Sequence, residues 1–204
     1  MSSPSIGVLI SGRGSNLQAI IDAVDGGRLD ARIAVVISNR PEAAGLERAR
    51  RAGIETLVLS HKAYPDRVAY DRVLASTLKE RGVTLVCLAG FMRLLSADFI
   101  RAFPNAVLNI HPSLLPAFPG LEPQRQALEH GVKVSGATVH VVDEGLDSGP
   151  ILLQEAVAVR EDDTPETLAA RILAAEHRIY PQAVRLVLDG RCRIEGRRAH
   201  LEGV

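Results

Sequence analysis

Asn109 and His111 lie two positions apart at the end of the apolar run in "LNIHPSLLPAFPG" (108–120). Alternate residues of a strand share a face, so if the strand continues through them the carboxamide and the imidazole reach into the same volume. Pro112 follows, has no backbone N–H, and ends the ladder there. A carboxamide can donate to a developing oxyanion, and an imidazole is the natural proton carrier near neutral pH. Neither group is a strong nucleophile in this setting, and no Ser–His pairing at suitable spacing accompanies them. The pair therefore suits attack by a substrate's own nucleophile on a carbonyl-like carbon. A carboxylate beside the histidine would stabilise its charged form. Asp147, in the connecting turn "GLDSGP", is a good candidate; Asp143 and Glu144 are rivals that spacing does not exclude.

A second chemical feature is "SGRGSN" (11–16), placed between an apolar run and a helical pattern. Open α/β sheets bind ligands at the carboxyl ends of their strands, and a helix start offers free N–H groups and partial positive charge to a phosphate. Gly12 and Gly14 permit close backbone approach, and Ser15 and Asn16 add side-chain hydrogen bonds. The third glycine of a dinucleotide fingerprint is replaced by Leu17, and the Gly-Lys-Ser/Thr ending of a P-loop is absent. A ligand here is thus expected to be a single phosphate, such as a phosphoribosyl group, rather than NAD or ATP; the alternative is a tight turn that binds nothing.

These groups need a scaffold. Five short, β-branched-rich apolar runs, at 6–11, 31–38, 55–60, 83–90 and 105–110, read as strands buried on both faces, the signature of a parallel sheet. Helical stripes separate some of them: Leu17, Ile20, Ile21 and Val24, then Tyr70, Val73, Leu74, Thr77 and Leu78 with Gly82 as terminator. This order predicts a Rossmann-like, doubly wound α/β fold: a mostly parallel sheet with helices on both faces. Two extended segments, 134–144 and 149–159, follow. A long helix then opens at Thr164-Pro165 with the stripe Leu168, Ile172, Ala175, Ile179 and Ala183. Pro181 is expected to bend or interrupt it. One domain over 1–190 and a tail over 191–204 are expected.

The chain has 204 residues, 47% of them hydrophobic, enough for a full core. Lys plus Arg equals Asp plus Glu at 24 each, which removes the basic signature of a nucleic-acid binder. Arg197 and Arg198 read as part of a solvated tail. Cys87 and Cys192 form no CxxC, and the six histidines show no HxH or HxxxH spacing, so no metal is expected. The absence of a signal-like start or a long apolar run points to a cytoplasmic protein with no membrane partner.

"LISGRGSNLQAI", "LAGFMRLLS", "LNIHPSLLPAFPG", "GATVHVVDEGLDSGPILLQ" and "EHRIYP" occur in this order. Together they resemble the folate-dependent formyltransferases, specifically the phosphoribosylglycinamide formyltransferases (glycinamide ribonucleotide transformylases), over about residues 6 to 190. The resemblance implies transfer of a formyl group from the co-substrate 10-formyltetrahydrofolate to the amine of glycinamide ribonucleotide in de novo purine biosynthesis, without a metal, by a monomer or homodimer. It implies a catalytic trio of Asn109, His111 and Asp147. Gly14, Ser15, Asn16, Gly90 and Glu176 match ribonucleotide-binding positions. Arg67, Met92, Arg93, Leu94 and Leu95, together with Asn109, match the folate side. By the residues alone, Met92 would read as core and Glu176 as a solvated helix face. The segment Glu122-Pro123-Gln124 departs from the pattern, where relatives often carry a histidine.

Two related enzymes share the Asn-x-His core. Methionyl-tRNA formyltransferase adds a C-terminal domain and formyltetrahydrofolate hydrolase an N-terminal one. With little chain after residue 190 and a first strand beginning at Ile6, length favours the glycinamide enzyme, with the hydrolase as the alternative. A non-enzymatic phosphate-binding module would need the turn but not the trio. With Asp147 as the carboxylate that supports His111, Asp147→Asn is expected to lower turnover far more than Asp143→Asn; equal losses in steady-state assays would identify a different carboxylate.

Overall fold

The computed structural model describes residues 3–203; Met1, Ser2 and Val204, at the ends of the expected domain and tail, lie outside the described residues. The chain divides into two compact units, residues 1–108 and 109–204.

In the first unit, β1 (Ser5–Ile10), β2 (Arg32–Ser38), β3 (Thr56–Val58) and β4 (Leu85–Leu88) lie in the order β3-β2-β1-β4. β1 pairs in parallel with β2 and with β4, and β2 in parallel with β3. Val8, Leu9, Val36 and Cys87 are fully buried, as strands covered on both faces require. The run at 55–60 keeps only three residues of strand, half exposed, because β3 ends the row and has one neighbour.

The helices of this unit are α1 (Ser15–Asp25), α2 (Gly45–Arg51), α3 (Arg67–Lys79) and α4 (Ala97–Ala102). From β1 the chain steps one way to β2 and β3, then returns past β1 to β4. Right-handed crossovers therefore place α1 and α2 on one face and α3 on the other. The contacts agree: α1 packs with α2, and α3 with α4. This is the expected doubly wound α/β arrangement. In α3, Tyr70, Leu74 and Leu78 are buried as expected, but Val73 is 38% exposed and Asp71 is fully buried. A tertiary bond overrides the apolar pattern there: Asp71 Oδ2 accepts from the Ser96 N–H at 2.6 Å.

β5 (Val107–His111) carries the chain into the second unit. There α5 (Pro123–Glu129) precedes β6 (Val134–Val141) and β7 (Ile151–Ala158), the expected extended pair, which is antiparallel. α2, α4 and α5 have six or seven residues each, too few to show a helical period in sequence.

α6 (Pro165–Leu188) has 24 residues and packs on β6 and β7. Its start is a capping box: Thr164 Oγ1 accepts from the Thr167 N–H at 3.3 Å, and Thr167 Oγ1 accepts from the Thr164 N–H at 2.9 Å. The helix runs on through Pro181 without interruption. Buried Ile179, Tyr180, Ala183 and Val184 flank the proline, and their packing offsets its missing N–H, a defect worth roughly 3 kcal/mol in an unsupported helix.

The expected tail holds two strands, β8 (Cys192–Glu195) and β9 (Arg198–Leu201), paired antiparallel, with β9 bridged to β7 at Ile151 and Arg198. Half-buried residues alternate along both, and Gly196, at φ 58, makes the two-residue turn possible. No helix of the described residues is long and apolar enough to cross a membrane.

Thr164→Ala removes one half of the capping box and is expected to destabilise the protein by about 1 kcal/mol, read as a lower urea midpoint at unchanged slope.

Candidate active site

Four polar side chains of the second unit converge at the end of β5. His111 Nδ1 lies 3.4 Å from Asp147 Oδ2. Asp147 Oδ1 lies 3.6 Å from His140 Nε2, and Asn109 Nδ2 donates to that same nitrogen at 3.2 Å. His140 Nδ1 donates to the Val141 carbonyl at 3.1 Å, which leaves Nε2 to accept from Asn109. One amide hydrogen of Asn109 is thereby fixed and the amide plane set, with the second N–H still to be used. β5 includes both Asn109 and His111, so strand alternation sets them on one side.

The His111 ring sits between two acceptors. Its Nε2–H donates to the Phe118 carbonyl at 2.9 Å, and its Nδ1 faces Asp147. A neutral ring satisfies only one of these; an imidazolium satisfies both. Burial nonetheless pushes the His111 pKa down, against the opposing pull of the Phe118 carbonyl and Asp147. Burial also pushes the Asp147 carboxyl up, but His140, the Gly120 N–H at 2.8 Å and His111 outweigh it and hold the group below the usual carboxylate range. The ring rests neutral with two acceptors in place for an arriving proton.

The backbone around this cluster is strained. Phe118 has φ 53 and Asp147 φ 48, both left-handed, a region a bulky aromatic residue seldom enters. A partly buried polar network holds the loop behind His111. Thr138 Oγ1 donates to the Ser113 carbonyl at 2.7 Å and accepts from the Leu115 N–H at 3.0 Å, while Gln154 Nε2 donates to the Leu115 carbonyl at 2.8 Å. Asp143 serves its own loop, accepting from the Gly145 N–H at 3.0 Å and the Ser148 hydroxyl at 2.7 Å. Of the two aspartates in this turn, Asp147 is the one within reach of His111.

The other candidate residues occupy defined places. In the first unit, Gly14 has φ 70 and directly precedes α1, while Ser15 and Asn16 open that helix. A Cβ on Gly14 would lie 2.6 Å from the Gly45 Cα, so both the dihedral and the space demand glycine. Gly90, at φ 76, turns the chain out of β4. Met92 and Leu94 are 62% and 54% exposed and Leu95 is buried, so Met92 is not the core residue its type suggests. The Arg93 guanidinium stacks over the Tyr70 ring at 5.3 Å. Arg67 is exposed at the first position of α3. In the second unit, Glu176 is only 6% exposed on α6, not on a solvated face. Glu122, at φ 52, caps α5, with Pro123 at its first position and Gln124 next.

His140 escaped the sequence reading. It lies in an apolar strand, where a lone histidine carries no pattern; its only signal is the same strand periodicity that singled out Asn109 and His111. Among the described residues, no group of three or more His, Cys, Asp or Glu side chains is placed to hold a metal ion.

Residues 5–184 match the family described as formyl transferase. The chain is 46% identical to phosphoribosylglycinamide formyltransferase of Escherichia coli (strain K12), over 98% of this chain and 94% of that protein. It is 51% identical to the human trifunctional purine biosynthetic protein adenosine-3 over 91% of this chain, and spans only 18% of that protein's length. Among solved structures, glycinamide ribonucleotide transformylase 1 from Symbiobacterium toebii superposes with a TM-score of 0.97 at 62% identity, covering 98% of this chain and 94% of that one.

The buried histidine makes stability depend on pH. Its folded pKa lies below the ordinary 6.5, so on acidification the unfolded chain takes up a proton first, and stability falls as pH drops below about 6.5. His61, held low mainly by burial, adds in the same sense. Asp147, with its lowered pKa, contributes above the usual carboxylate range and loses that contribution only at lower pH. His111→Gln is expected to flatten the decline in urea midpoint between about pH 6.5 and 5; an unchanged slope would show that His111 is not held neutral.

Proposed function

Since the chain belongs to the formyl transferase family, we propose that it transfers the formyl group of 10-formyltetrahydrofolate to the amine of glycinamide ribonucleotide, a cytoplasmic step of purine biosynthesis. The observation that carries this reading is the closed set of Asn109, His140, Asp147 and His111 at the end of β5.

The chemistry is an acyl transfer. The substrate amine attacks the formyl carbon, a nitrogen–carbon bond forms, and the carbonyl oxygen becomes an oxyanion. The second N–H of Asn109, its first being held by His140, supplies a preoriented donor to that oxyanion. As the carbon–N10 bond breaks, the amine's surplus proton must leave and N10 must gain one. His111 can carry that proton, because Asp147 and the Phe118 carbonyl accept from both ring nitrogens of its charged form. Asp147 acts through His111 and its orientation.

Binding divides among the remaining positions. Gly14, Ser15 and Asn16 hold the single phosphate at the start of α1, where the helix dipole is positive. Gly90 in the first unit and Glu176 in the second are each assigned to ribonucleotide binding by the family resemblance alone. The exposed Met92 and Leu94 offer polarisable, apolar surface to the flat rings of the folate, Leu95 backs them, and Arg67 and Arg93 supply positive charge to its acidic tail.

Purified protein given both substrates should yield formylated ribonucleotide and tetrahydrofolate in equal amounts, with no formyl loss when the ribonucleotide is omitted. Formyl loss to water alone would replace this reading with a hydrolase. His111→Ala should lower kcat by roughly a hundredfold or more while ribonucleotide binding persists in calorimetry; near-normal turnover would remove His111 from the mechanism.

A further inference from the structure

Ser11 stands between β1, which ends at Ile10, and the glycine-rich turn. It is only 4% exposed and makes three hydrogen bonds. Its hydroxyl donates to Asn39 Oδ1 at 2.6 Å and accepts from the Met92 N–H at 2.9 Å. Its own N–H donates to the Gly90 carbonyl at 3.1 Å. Asn39 is 3% exposed, directly follows β2, and is oriented by a contact from its Nδ2 to His61 Nδ1 at 3.5 Å. One serine thus ties together the carboxyl ends of three parallel strands, β1, β2 and β4.

Two functional segments meet at this residue. The turn at 12–16 continues directly from Ser11. The segment Gly90–Met92 is held to it at both ends, through the Gly90 carbonyl and the Met92 N–H. Phe91 anchors the segment by packing in the core, while on either side of it Gly90 is exposed and left-handed and the Met92 side chain points largely into solvent. The hydrogen bonds that orient the peptide groups on either side of Phe91 both go to Ser11, and the single hydroxyl hydrogen of Ser11 is directed by Asn39.

We infer that Ser11, oriented by Asn39, is a positioning residue that couples the binding of the two substrates. This rests on the functional reading above, which assigns the phosphate to 14–16 and the folate to the segment beginning at Met92. A phosphate that fixes the turn fixes Ser11, and Ser11 fixes the carbonyl and N–H that set the start of the folate segment. The ordering required for the second ligand is then already made by the first, which appears as positive coupling and must be the same whichever ligand binds first.

The test is calorimetry with glycinamide ribonucleotide and tetrahydrofolate, a pair that cannot react because no formyl group is present. In the wild type, saturating either ligand should tighten the other by about fivefold or more. Ser11→Ala should bring that factor close to one, and Ser11→Thr, which keeps the hydroxyl, should restore it. Asn39→Ala should give an intermediate factor, since the hydroxyl still accepts from Met92 but loses its director. A merely structural serine would weaken both affinities and leave the coupling factor intact, and that result overturns the inference. Wild-type protein that binds both ligands without coupling overturns it too, leaving the functional reading in place. Wild-type protein that binds neither overturns both.

Discussion

A half-buried carboxylate set against two imidazole rings governs the second unit. Left unpaired, Asp147 would carry a desolvation penalty. The Gly120 N–H donates to one oxygen and offsets part of that penalty, and the rings of His111 and His140 lie against the two oxygens, where a protonated ring offsets the rest. To bring these groups together the backbone accepts left-handed dihedrals at Phe118 and Asp147. The resulting electrostatics are matched to proton transfer. Burial keeps His111 neutral at rest, while two acceptors wait to stabilise it once charged.

The supports behind the cluster are as specific as the cluster. Thr138 and Gln154, neighbours on paired strands, bind the backbone of the loop that follows His111. That loop delivers the Phe118 carbonyl to the ring. Held by hydrogen bonds rather than by apolar contact alone, it has one low-energy course, because displacing it leaves the buried Thr138 hydroxyl and its backbone partners unsatisfied. The first unit uses the same device at Ser11 and Asp71, where buried side chains accept from backbone N–H groups of the segment after β4. In both units, loops expected to bind or react are pinned by polar side chains from the strands and helices beside them.

Parallel strands with right-handed crossovers leave their carboxyl ends as the natural place for such loops. In the first unit Ser11, Asn39 and the Gly90 turn follow β1, β2 and β4 in turn, and the close contact of Gly14 with Gly45 shows how tightly the backbone is drawn together there. Side-chain choice at these positions follows from geometry: glycine where dihedral or space forbids a Cβ, and a small hydroxyl or amide where a backbone group needs a partner.

Much of this was legible in the sequence. Apolar runs without alternation marked strands buried on both faces, helical stripes and the Thr164-Pro165 start marked α1, α3 and α6, and the two-residue spacing of Asn109 and His111 carried the candidate chemistry by strand alternation alone. These signals are local, and periodicity transmits them. The rest depended on partners distant in sequence. His140 joined the cluster only through the pairing of Asn109 with a residue 31 positions away. Asp71 went inside and Val73 outside because the Ser96 N–H needed an acceptor. The helix passed through Pro181 because its flanks pack on β6 and β7, and the supposed tail became a hairpin because its half-buried residues alternate. What the sequence by itself determined was the order of elements and the chemical type of the site. What only the tertiary structure decided was which buried polar groups satisfy one another, since the cost of an unpaired group is set by its surroundings and no local pattern records them.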